Sequence, residues 1–181
     1  MTVVGLKQVS AALWEMPQPL GLFAGDLLKR GRSYYQAFQI VAEREEASLS
    51  FPAYFLLSHA VEVVLKSYLV AKGTPKIALG KGLLRHDVGL VFDECERQGL
   101  TVADQLVKPL AKQLAHINEN YDLRYPTGFI LSIPSPSLCV PAVDALISEI
   151  APMVEASAIK AELQFGADTR HIRPSKVRWS D

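Results

Sequence analysis

The apolar run over residues 52–71, interrupted by His59, Glu62 and Lys66, constrains this chain more than any other feature. It is long enough to cross a bilayer, but a central charge costs roughly 2.5–3.5 kcal/mol on insertion scales. With three ionisable groups inside it, the segment reads as the innermost helix of a protein core. Its ends agree with a helix: Ser50 and Pro52 suit the first turn, and Gly73 suits a left-handed stop. A helix apolar almost all round needs other helices to surround it.

Those helices can be read on either side of it. Over residues 24–47, Leu27, Leu28, Tyr34, Tyr35, Phe38, Ile40 and Val41 recur at three- and four-residue steps. Asp87 can cap a helix running to about Gln98, with Gly99 as its stop. Leu106, Leu110, Leu114, Ile117 and Tyr121 predict another over residues 101–122, kinked near Pro109. Residues 124–141 carry Pro126, Pro134 and Pro136 and read as an extended loop containing Cys139. A last helix over residues 141–165 follows, bent at Pro152. The expected fold is all-α: an up-and-down bundle of four to five helices with an extended Pro-rich loop before the last. A lead over residues 1–23, a short helix and an irregular strap, precedes the bundle of residues 24–165. A basic tail over 166–181 follows, as a flexible arm or a docking strand. No strand pair is expected.

The chain's 181 residues, 49% of them hydrophobic, suit one core. Lys plus Arg and Asp plus Glu both number 19, so no global field draws the protein to nucleic acid or a membrane surface, and any polyanion site must be local. Cys95 and Cys139 show no disulfide or zinc spacing, and the N-terminus has no signal-peptide h-region, which together predict a reduced, cytoplasmic protein with no membrane role.

His59, Glu62 and Lys66 stand three and four residues apart, which stacks them into one column. The column is either a neutralised ion pair of the core or a polar groove for a phosphate or a base. His59-x-x-Glu62 and His116-x-x-Glu119 also imitate metal-ligand pairs, but the further carboxylates of a di-iron bundle are missing, so no metal or cofactor is expected. The loop over residues 73–82 fails as a phosphate-binding loop: Pro75 replaces its first glycine and Gly82 its Ser or Thr. Lys76, Lys81 and Arg85 remain there as a local basic patch.

The string Ala60-Val61-Glu62-Val63-Val64-Leu65-Lys66-Ser67-Tyr68-Leu69 before Gly73 resembles the second helix of bacterial HEPN domains. His86-Asp87 ahead of an apolar helix and Leu123-Arg124-Tyr125-Pro126 after the penultimate one are similar to features of that family in the same order. The resemblance spans about residues 52–126. It implies a helical bundle, often dimeric, in a family of toxin ribonucleases, companions of nucleotidyltransferases and nucleotide-binding modules. Its ribonucleases use an Arg followed four to six residues later by a His, and this chain lacks that pair, since Arg85 abuts His86. The leading expectation is therefore a non-catalytic protein that binds a nucleotide, RNA or a nucleotidyltransferase partner through His59, Glu62, Lys66, His86, Asp87, Arg124 and Tyr125. Arg124 can equally be structural, pairing with a carboxylate such as Glu62. One alternative is a ribonuclease with its catalytic histidine relocated to His86 or His116. Another is a homodimeric scaffold with a seam formed by Leu27, Phe38 and Val143.

Overall fold

The computed structural model describes residues 13–125, 132–170 and 176–180. Five α-helices carry the fold: α1 (Leu20–Ala42), α2 (Ser50–Ala71), α3 (Val88–Arg97), α4 (Val107–His116) and α5 (Pro136–Asp168). The all-α architecture expected from the sequence is the one observed.

Helix α2 is the axis. It packs against α1, α3, α4 and α5, and every residue from Ala60 to Val70 is buried. The helix and the turn before it have the length and hydropathy of a membrane span, as does α5. In α2 that apolar surface meets other helices: Phe38 and Leu28 of α1, Val91 and Phe92 of α3, Leu114 of α4, and Leu146 and Ile150 of α5 join it in one core. Gly73, with φ of 101°, ends α2 as expected; its N–H donates to the Val70 carbonyl, and that of Thr74 to Leu69. Tyr35 donates to the Val140 carbonyl and to Asp144, tying α1 to α5, and the Tyr54 hydroxyl donates to the Pro134 carbonyl.

Four expectations need correction. The strap expected within residues 1–23 is a strand, β1 (Leu13–Pro17), and it pairs in parallel with β2 (Lys176–Ser180), with Leu13 opposite Lys176 and Pro17 opposite Ser180. The expected lead helix over the first residues lies outside the described residues. Strand pairing between opposite ends of a chain leaves no local periodicity, so sequence spacing could not reveal it. Second, α1 begins at Leu20 and closes at Ala42, because Arg44 and Glu45 donate back to Val41 and Ala42 and Glu45 turns left-handed at φ 52°. Third, α4 is shorter than residues 101–122. Asp104 accepts from the Leu106 N–H just ahead of it, which puts Pro109 in the first turn, where its missing N–H breaks no helical bond. Fourth, α5 starts at Pro136, so Cys139 is a buried helical residue; burial pushes its thiol up to about 11. Residues 126–131 of the Pro-rich loop lie outside the described residues.

The residues proposed for a dimer seam are also placed otherwise. Phe38 and Val143 are fully enclosed in the single-chain core, and Leu27 packs against it.

Candidate functional site

The helical period does bring His59, Glu62 and Lys66 onto one side of α2, and the loop before α3 closes over them. Lys66 Nζ donates to Glu62 Oε1 at 2.6 Å and to the Arg85 carbonyl at 2.9 Å. Both side chains are about nine-tenths buried, so the pair survives because the ammonium has two acceptors as its water is removed. His59 Nδ1 lies 3.7 Å from Glu62 Oε2, and His86 Nδ1 lies 3.5 Å from Oε1. One carboxylate thus serves an ammonium and two half-exposed imidazoles. Burial alone would raise the Glu62 pKa, but His59 and Lys66 outweigh it and hold the carboxyl below its ordinary value.

The column continues toward the start of α2. Phe55 stands four residues before His59, and Phe51 four before that. The Phe55 ring stacks on His59 at 6.2 Å, while Tyr34 of α1 meets His59 edge-on at 4.6 Å. The Arg124 guanidinium also lies over Phe55, 5.2 Å from the ring centroid, and 5.5 Å from that of Tyr121. The sequence reading missed Phe51 and Phe55, although the successive four-residue steps back from His59 were the signal that would have found them.

The remaining expected residues fall in separate places. Arg124 belongs to the strip through Phe55, and among the described residues it forms no ion pair with Glu62, whose charged partners are Lys66, His59 and His86. Asp87 is the N-cap of α3, where its carboxylate accepts from the Leu90 N–H at 2.9 Å, so it anchors the loop that carries His86. Tyr125 is 65% exposed and borders a small cavity of about 250 Å³ with Phe51, Asp122, Leu123 and Arg124. His116 stands away at the end of α4, 82% exposed, with Glu119 at 3.7 Å. Of the basic loop, Lys76 lies over the Phe23 ring, and Arg85 contributes its carbonyl to Lys66. Among the described residues, no three His, Cys, Asp or Glu side chains are grouped so as to hold a metal ion.

The sequence reading also missed Asp122. It is only 6% exposed, and its Oδ1 has no hydrogen-bond partner among the described residues; Asn118 Oδ1 is the other buried acceptor of this kind. Tyr121, in the left-handed region at φ 62°, makes the turn there, accepting from the Arg124 and Tyr125 N–H groups through its carbonyl. In that turn Asp122 is buried and Arg124 exposed.

Comparison with protein-family models, curated proteins and solved structures finds no match. The HEPN resemblance accordingly rests on the residues quoted for it.

Proposed function

We propose that this protein binds single-stranded RNA or a nucleotide along the strip that runs from His86 past His59 and Phe55 to Arg124. The observation that carries the reading is the alternation on that strip: imidazole, phenyl ring, guanidinium, tyrosine ring, each in contact with the next. Stacking on aromatic faces tolerates any base, and a cation beside each ring reaches the phosphate that follows. Lys66 is not one of those cations, because Glu62 neutralises it inside the core; His59, His86 and Arg124 are the groups that water, and hence a ligand, can reach. The HEPN resemblance points the same way, toward a nucleotide, an RNA or a nucleotidyltransferase partner.

Fluorescence anisotropy with a labelled six-nucleotide RNA, and calorimetry with ATP and GTP, test this reading. Arg124→Ala should weaken binding about tenfold, the loss of roughly 1.4 kcal/mol, while leaving the melting temperature within a degree or two. No binding of RNA or either nucleotide at millimolar concentration overturns it.

A second reading, a ribonuclease, draws on a different observation. Both imidazoles bring Nδ1 within 3.7 Å of the Glu62 carboxylate, so two proton-transfer groups share one acidic neighbour, one to serve as base and one as acid. RNA cleavage that His59→Ala and His86→Ala each abolish would establish it. Cleavage that survives both variants would dismiss it.

A further inference from the structure

Helix α5 is 33 residues long, and its last buried residue is Val154. Beyond that point it leans on the start of α1. A Cβ at Gly21 would stand 2.7 Å from Ala161 Cβ, and one at Gly25 would stand 2.9 Å from Ala158 Cβ, so Ala158 and Ala161 mark the covered side of the helix. Leu163 comes nine residues after Val154, about two and a half turns, and so faces the opposite way. It belongs to a stripe of Pro152, Ala156, Ile159, Leu163 and Ala167, spaced four, three, four and four residues apart and all exposed. Ile159 is 58% exposed and Leu163 71%. At 1.5 Å per residue the stripe is about 24 Å long.

The charges beside the stripe decide what fits it. By helical period Glu155 and Glu162 border it on one flank and Lys160 on the other. Lys160 and Glu162 have no ion-pair partner among the described residues, and Glu155, half exposed, pairs with Arg32 of α1. Two copies of α5 laid side by side in the same direction bring the glutamate flank of each against the lysine flank of the other. Glu155 then stands beside the partner's Lys160, five residues further along, and two-fold symmetry makes the pair twice, as in a parallel coiled coil. Laid in opposite directions, the two copies would set glutamates against glutamates. An anionic lipid surface would meet two carboxylates for one ammonium.

We infer that the outer face of α5 is a self-association seam, two copies of this chain packing in parallel through Ile159 and Leu163 with Glu155 against the partner's Lys160. This is a different face from the seam expected at Leu27, Phe38 and Val143, and it stands whatever the α2 strip binds. A stripe this short belongs with weak interfaces, so the dimer should prevail at about 100 µM chain and the monomer near about 1 µM.

Sedimentation equilibrium of the full chain across that range, with a thermal melt of each variant at the lowest concentration, tests the seam. Leu163→Glu should weaken dimerisation at least about tenfold and leave the melt unchanged, because the side chain is exposed in the single chain. Glu155→Lys and Lys160→Glu should each weaken it about threefold to tenfold by setting like charges together. An equimolar mixture of those two variants should dimerise as the wild type does, since every flank pair in the mixed dimer is again opposite in sign. A wild type that stays monomeric at the highest concentration overturns the inference, as does a dimer that Leu163→Glu leaves intact. A mixture that fails to recover overturns the parallel pairing. A monomer that instead sediments with phosphatidylcholine–phosphatidylglycerol vesicles, and ceases to with Leu163→Glu, also overturns it and assigns the stripe to a lipid surface.

Discussion

Glu62 shows how much a single side chain can be asked to do. Its carboxylate faces Lys66, His59 and His86 from inside the core, and its pKa is held below that of a free carboxyl. The unfolded chain therefore takes up a proton at a higher pH than the folded one does. The stabilisation is fully present above the unfolded-state value, near 4.3, and is lost as pH falls through the lower folded-state value. Glu62→Gln should cost about 3–5 kcal/mol at neutral pH, because Lys66 is left buried without a counter-charge, and it should remove part of the acid sensitivity. Urea melts at pH 7 and pH 3.5 measure both effects; an unchanged difference between the two pH values would mean that Glu62 is not the group titrating. Replacing both partners with Met separates stability from function. A fully apolar pair of similar volume is often neutral or stabilising, so the double variant should fold while losing the acidic neighbour of both imidazoles. The Glu62–Lys66 column was legible in the sequence because helical spacing alone fixes it. Asp122 was not, since its burial depends on a left-handed Tyr121 that nothing in the local sequence requires.

At the level of elements, α1 and α2 approach so closely at Gly31 that a Cβ there would stand 2.6 Å from Val64 Cγ2, 3.2 Å from the Val64 nitrogen and 3.3 Å from the Ala60 carbonyl. Two of those neighbours are backbone and cannot turn aside. Gly31→Ala gains up to about 1 kcal/mol of helix propensity but incurs roughly 1–3 kcal/mol of overpacking. The net expectation is a loss near 1 kcal/mol. Gly166, in the outer part of α5, meets nothing within 4 Å, so Gly166→Ala should instead gain about 0.5–1 kcal/mol. Opposite shifts in chemical-denaturation midpoint confirm the close approach, and two shifts of the same sign refute it. Helix existence was readable for all five elements, since apolar period and caps act within one turn; Asp87 and Gly73 both act as read. Boundaries were less so. The α4 limits depend on an Asp104 turn at one end and on Tyr121 beyond the other, and neither alters the apolar stripe from which the longer helix was read.

For the whole molecule, net charge and topology decide what kind of binder this can be. The chain is formally neutral, so any attraction for RNA must come from a local group of cations. Its two ends meet in the β1–β2 pair, which places the sequence around Lys176–Ser180 beside Leu13–Pro17, a juxtaposition that no local spacing could disclose. The C-terminal segment also carries Arg170, Arg173, Lys176 and Arg178, four cations within nine residues. The two candidate contact regions differ in salt dependence, since each phosphate neutralised on a single strand contributes about −0.7 to the slope of log K against log salt. Binding through Arg124 should give a slope of about −0.7, whereas binding through the tail's four cations should give about −3. Anisotropy of a short RNA between roughly 50 and 200 mM salt reads this directly. A shallow slope that Arg124→Ala removes places RNA on the α2 strip; a steep slope that Arg124→Ala leaves untouched, and that truncation after Asp168 abolishes, moves the interface to the C-terminal segment and removes the basis of the proposed function.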